Sequence, residues 1–338
     1  MTAATVRLGD GLEVSPLGFG GMALTPVYGE VDPDEALQTL HHAVDAGVSF
    51  IDTADIYGGG SNEELIAKLL KDRRGEVQLA TKFGLVGTPA TGYSDIRGDA
   101  AYVRQAVDRS LRRLGTDTID LYYMHRRDLR VPIVETVEAM AELVQQGKVR
   151  HLGLSEVTAE ELREASSVHP IAAVQSEWSI WSRDVERSVV PAAAELGVGF
   201  VPYSPLGRGF LTGTVDAASL GSNDFRRNIP RFAEAALDAN QGVVAAVQAV
   251  AAELAVSGQT ATPAQVALAW LLTQGRRLGL PVVPIPGTRK AARIDENWGA
   301  VALTLDFTTA QLEKLDAAAD AVVGSRSADP NWVSQGRE

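Results

Sequence analysis

Seven short apolar runs, most of them followed by a polar loop and an amphipathic helix, constrain this chain more than any other feature. They are Val48–Ile51, Val77–Thr81, Ile119–Met124, Val149–Leu154, Ile171–Val174, Val198–Val201 and Val282–Ile285. The helices between them have one apolar face. Over Ala100–Gly115, Val103, Ala106, Val107, Ser110, Leu111 and Leu114 align at helical spacing. Over Val131–Lys148, Ile133, Val134, Val137, Met140, Ala141 and Val144 do the same. The run around Leu17 in PLGFG supplies an eighth strand candidate. Alternating strands and helices imply parallel strands, and eight such units in a chain of 338 residues point to a closed (β/α)8 TIM barrel. The alternative is an open doubly wound sheet. That fold would show a G-x-G-x-x-G turn after its first strand, and none stands there.

Ahead of the repeat, Thr5–Leu8 and Leu12–Val14 flank Gly9-Asp10-Gly11, a hairpin signal. Asp32 with Pro33 behind it starts a helix that Gly47 ends in the left-handed conformation. Ser61 and Glu64 read as a capping box. The connection from the strand near Phe200 to the helix near Asn240 is long enough to be functional, and it carries Arg208, Arg226, Arg227 and Arg231. From Val323 the chain reads as an irregular, mobile tail, 323–338. No linker interrupts residues 1–338, which are expected to form one domain.

Charge and composition exclude several classes. A net charge of −12 without a basic run speaks against a nucleic-acid partner. The absence of cysteine removes disulfides, thiolate nucleophiles and Cys-ligated metals. No signal pattern opens the chain, and no run approaches the ~18 apolar residues of a membrane span. A soluble cytoplasmic protein with no membrane partner is expected. The oligomeric state is not legible.

In a barrel, residues at the C-terminal ends of the strands converge on one mouth. Strand two brings Asp52, Asp55 and Tyr57; strand three brings Lys82; strand four brings His125. Strands five and six bring Ser155, Glu156, Gln175 and Glu177; strands seven and eight bring Tyr203, Ser204 and the Pro286–Arg289 turn. Lys82 ends an apolar strand, so its ammonium needs a buried partner, and Asp52 is the neighbouring candidate. A tyrosine ionises near pH 10, and an adjacent lysine lowers that value. Tyr57, Lys82 and Asp52 with His125 nearby therefore suit general acid–base work by tyrosine. No H-E-x-x-H, P-loop or G-x-S-x-G is present and no metal site is expected. Arg289 and Arg293 stand four apart after a Pro-Gly turn, a spacing suited to a phosphate.

The contexts FIDTADIYGGGSNEELI, LATKFG and DLYYMHR, together with PYSPLGRGFLTG and PIPGTR followed by Arg293, Glu296 and Asn297, resemble the aldo-keto reductase superfamily. They resemble in particular its broad-specificity bacterial and fungal branch with pyridoxal-reductase-like members. The resemblance implies a barrel plugged at the bottom by the hairpin, NADPH/NADP+ across the mouth, and reversible reduction of a small-molecule aldehyde or ketone. It makes Asp52, Tyr57, Lys82 and His125 the catalytic set. By the same resemblance Ser155 and Gln175 hold the nicotinamide carboxamide, Asp52 borders the cofactor, and Tyr203 stacks under the ring. Ser204, Pro205, Leu206, Gly207 and Arg208 line the pyrophosphate. Arg289 and Arg293 take the 2′-phosphate, Glu296 and Asn297 the adenine end, Gly287 belongs to the cofactor-binding set, and Gly21 and Met22 approach through backbone groups. Glu156 stands where many relatives have Asn, and a carboxylate cannot donate as Asn does. Other relatives are regulatory subunits that keep a nicotinamide; an intact tetrad argues against that alternative. A metal-dependent hydrolase or a Schiff-base aldolase on Lys82 is a third reading.

Overall fold

The computed structural model describes residues 5–88, 92–216, 218–222, 224–256, 258–302 and 307–338. Residues 217 and 223, in the long connection from Phe200 to Asn240, lie outside the described residues. Seven parallel strands run side by side: β1 (Phe19–Gly20), β2 (Phe50–Asp52), β3 (Gln78–Phe83), β4 (Ile119–Met124), β5 (Val149–Ser155), β6 (Ala173–Glu177) and β7 (Gly199–Tyr203). The eighth apolar run forms no regular strand. It nevertheless closes the ring. Phe200 N donates to Pro281 O at 2.8 Å, Val283 N to Phe200 O at 2.9 Å, and Gly18 N to Pro284 O at 2.9 Å. Pro281, Pro284 and Pro286 lack the N–H a full ladder needs, so an isolated bridge, Phe200 to Val282, is what remains.

Helices α1 (Pro33–Asp45), α2 (Ser61–Arg73), α3 (Ala100–Leu114), α4 (Ile133–Gln145), α5 (Ala159–Val168) and α6 (Val189–Leu196) follow the first six strands in turn. Beyond β7 come α7 (Glu234–Ala239), α8 (Gln241–Val256), α9 (Pro263–Leu278), α10 (Ala291–Ala302) and α11 (Thr309–Asp320). Their apolar faces bury the main core against the strands. A second cluster fills the barrel, where Phe50, Leu121, Tyr123, Val201 and Val283 meet Leu8, Leu12 and Val14 of the N-terminal hairpin. The hairpin pairs Val6 with Val14 and plugs the bottom. A Cβ on Gly199 would lie 2.4 Å from Leu8 Cδ2, so only glycine lets the plug seat against the start of β7.

Three local expectations are corrected. Ser61 and Glu64 form no capping box: the N-cap is Gly60, and Ser61 Oγ donates to Gly58 O at 3.0 Å. Gly58, Gly59 and Gly60 have φ of 60°, 67° and 102°, a left-handed run that seats the first helical turn without a side-chain cap. The stretch Glu234–Val256, with mean hydropathy 1.3, is long and apolar enough to cross a membrane by composition, against the expectation that no run comes near it. In the fold its Val243, Val247, Val250 and Leu254 are buried in the main core. The tail beyond Val323 is irregular, with short 3-10 turns at Pro330–Trp332 and Ser334–Gly336, but it is docked. Arg326 is 4% exposed and Ser334 1% exposed.

Candidate active site

The strand ends open onto a cavity of about 390 Å³. Asp52 ends β2, Lys82 stands near the end of β3, and His125 directly follows β4. Tyr57 is placed by the glycine run behind it. Lys82 Nζ is fully buried in an ion pair with Asp52 Oδ1 and donates to Thr53 O at 2.8 Å. Gln175 Nε2 donates to the other Asp52 oxygen at 2.8 Å. Burial pushes the Asp52 carboxyl up and the Lys82 ammonium down, and each partner holds the other toward its charged form. Lys82 Nζ lies 5.2 Å from the centroid of the Tyr57 ring. The rings of Tyr57 and His125 meet edge to face, 5.9 Å between centroids. Burial, helped by the charges of Arg126 and Lys82, drives the His125 pKa well below its usual value, so the imidazole is neutral. Among the described residues its Nδ1 has no hydrogen-bond partner. The arrangement offers a phenol and a neutral imidazole donor facing one space, with a buried cation behind them.

Asp55 lies outside this group. Burial and the nearby Glu63 push its carboxyl up to about 7, opposed by Arg113 and Arg109. An acid with a raised folded pKa keeps its proton longer in the folded state. Its contribution to stability therefore falls as pH rises from about 4 to about 7 and is flat above. Asp55→Asn should remove that loss. Urea unfolding is expected to show it more stable than the parent at pH 8 by on the order of 1–3 kcal/mol, with the difference shrinking toward pH 4.

Of the residues expected to hold a cofactor, Met22, Ser155, Gln175, Tyr203, Ser204, Pro205, Leu206 and Arg208 line the cavity. Gly287, Arg289, Arg293, Glu296 and Asn297 line it too. Gly21, Gly207 and Lys82 are not among the lining residues. A Cβ on Gly21 would come within 2.8 Å of Asp52 O, and one on Gly207 within 2.6 Å of Trp181 Nε1, so both pack behind the wall. Arg289 and Arg293 both line the cavity, and each also has partners within the protein. Arg289 donates to Ala23 O, Thr25 O, Tyr28 O and Glu30 O, at 2.8, 2.9, 3.4 and 3.0 Å. Its fork is thus spent on tying down the loop after β1. Arg293 is half-exposed and pairs with Glu296 at 2.6 Å.

Of the aromatics Tyr28, Trp178, Trp181 and Trp332, Tyr28 and Trp332 line the cavity. Trp178 packs on Phe200 and Trp270, and Trp181 stacks on Phe210, both in the core. Arg126 was missed. It lines the cavity with its guanidinium 5.2 Å from the Trp332 ring and Nη1 3.3 Å from Ser155 Oγ. Its position directly after the strand-four histidine was the available signal. Among the described residues no group of three or more His, Cys, Asp and Glu side chains could hold a metal ion.

A family model described as the aldo/keto reductase family matches residues 16–320. A Glycine max protein bearing the name "Probable aldo-keto reductase 1" is 45% identical over 305 residues, covering 89% of this chain and 85% of the relative. The structure of a glycerol dehydrogenase from Gluconobacter oxydans superposes with a TM-score of 0.80 at 28% identity, covering 98% of this chain and 99% of that one. An aldo-keto reductase from Bacillus halodurans in its holo form gives 0.75 at 27% identity, covering 97% and 100%. With the (β/α)8 barrel and the residues at its mouth, these matches make the chain a member of the aldo/keto reductase family.

Proposed function

We propose that the protein reduces an aldehyde or ketone to the alcohol with NADPH, reversibly. Family membership supports carbonyl oxidoreduction with a nicotinamide cofactor. The observation that carries the finer reading is that Tyr57, His125 and Asp52 line one cavity, with Lys82 buried behind Asp52 and close to the Tyr57 ring. The donor set suits the cofactor. Ser155, the Gln175 amide, the aromatic Tyr203 and the cation Arg293 line the same cavity. A bound nicotinamide supplies the hydride. Tyr57 delivers the proton to the oxygen of the reduced carbonyl. Lys82, close to the phenol ring, stabilises the phenolate left behind. Asp52 keeps Lys82 charged and aimed, and Gln175 holds Asp52. His125, neutral, donates to the carbonyl oxygen and orients it.

Arg293 and not Arg289 is assigned to the 2′-phosphate, because the Arg289 fork is already engaged with backbone carbonyls. Loss of one charge-assisted contact corresponds to roughly a tenfold weaker NADPH complex for Arg293→Ala. NADH affinity should stay unchanged, and fluorescence titration with both cofactors checks it. The reading as a whole is tested by following NADPH absorbance with a panel of aldehydes and ketones. Turnover on several carbonyls supports it. Tight NADPH binding with no turnover on any of them contradicts it.

A further inference from the structure

Glu156 is fully buried behind the site, with φ of 52°, a left-handed backbone that a non-glycine residue holds only when its surroundings demand it. Its carboxylate has a complete set of partners. Tyr203 Oη donates to Oε1 at 2.7 Å, and Glu177 N donates to the same oxygen at 3.2 Å. Ser334 N donates to Oε2 at 2.9 Å, and Ser334 Oγ lies 3.3 Å from it. Arg326 grips both oxygens, at 2.8 and 3.1 Å, and is itself held by Asp184 at 2.8 Å. Two of these partners, Arg326 and Ser334, come from the C-terminal tail. The same tail puts Trp332 into the cavity wall. The hydroxyl of Tyr203, whose ring faces that cavity, is thus tethered to a carboxylate that the tail clamps from behind.

We propose that Arg326 and Glu156 are positioning residues for Tyr203, so that docking of the tail and binding of the nicotinamide are coupled through that ring. The proposal rests on the reading that the nicotinamide stacks on Tyr203. A bidentate guanidinium fixes the plane and place of the carboxylate. The carboxylate fixes the phenol oxygen, and two fixed points, Cα and Oη, leave the Tyr203 ring little freedom to swing. A ring held before the ligand arrives spares the complex the entropy of ordering it. A tail anchored only for stability would not require its clamp to end on a residue of the cavity wall.

A double-mutant cycle on the full chain, read by NADPH fluorescence titration and by thermal unfolding, tests this. Tyr203→Phe keeps the ring and cuts the tether, while Arg326→Ala releases the carboxylate from the tail. Each single change is expected to weaken NADPH by about tenfold, the scale of one charge-assisted hydrogen bond. The double variant should be no weaker than the weaker single, since the tether can be cut only once. The thermal loss from Arg326→Ala should persist in the Tyr203→Phe background. Arg326→Lys keeps the charge but loses the bidentate fork, so it should restore affinity only in part, leaving NADPH about threefold weaker than in the parent. Two independent factors that multiply in the double variant would overturn the proposal. So would unchanged NADPH affinity in Arg326→Ala. If Arg326→Ala loses its circular dichroism, Arg326→Lys takes its place in the cycle, with a smaller factor and the same two overturning outcomes. A parent protein that binds no NADPH would overturn the proposed function itself, an outcome distinct from either.

Discussion

Tyr57→Phe is expected to lower kcat/KM for carbonyl reduction by roughly 10²–10⁴, the scale of a positioned general acid. NADPH affinity should change by no more than about twofold, because the ring stays and only the hydroxyl goes. The loss should fall on kcat, since the missing proton matters only once charge develops on the substrate oxygen. His125 cannot replace the phenol. Burial and two nearby cations hold the imidazole in its neutral form, so in the proposed mechanism it donates a hydrogen bond and does not transfer a proton. Steady-state kinetics with a single good aldehyde, alongside NADPH titration, checks the split. A Phe variant that turns over as fast as the parent would remove Tyr57 from the mechanism.

Lys82→Met should abolish activity and also cost stability on the order of 3–5 kcal/mol at neutral pH. Both partners of the ion pair are buried, 0% and 2% exposed at the side chain. Removing the ammonium leaves the buried Asp52 carboxylate without its counter-charge, with the neutral Gln175 amide still bonded to it. Asp52→Asn strands Lys82 in the same way. The double variant, Asp52→Asn with Lys82→Met, buries no charge. It should be more stable than either single variant and still inactive. Stability measured by urea unfolding across the four proteins separates the two contributions. A double variant as unstable as the sum of the singles would mean that the pair is not the unit described.

Much of this was legible because it is local. Asp52, Tyr57, Lys82 and His125 each sit within a few residues of an apolar strand, and strand order in a barrel brings consecutive ends together. The barrel itself follows from periodicity. What failed did so for physical reasons. The eighth run looks like a strand by composition, but its prolines remove the donors that pairing needs. A Ser-x-x-Glu spacing names a capping box, yet three left-handed glycines move the helix start so that glycine takes the cap. The spacing of Arg289 and Arg293 suggests a shared helix face, but the helix starts at Ala291, and Arg289 ahead of it bonds four carbonyls of a distant loop. The tail shows no periodicity, so its docking was invisible. Arg326 reaches Glu156 across 170 positions of sequence. Glu156 was noted as a departure from the family, and only the fold supplies its partner.

In the proposed mechanism the cavity passes a hydride from a nicotinamide to a carbonyl carbon while Tyr57 supplies the proton. The most direct measurement uses NADPH deuterated at its transferable position, with an aldehyde substrate and mass analysis of the product. The expected product is an alcohol carrying deuterium on the former carbonyl carbon, in step with the NADPH oxidised, and in Tyr57→Phe a slowed formation of the same labelled product. Unlabelled alcohol, or NADPH oxidation without alcohol, would contradict it.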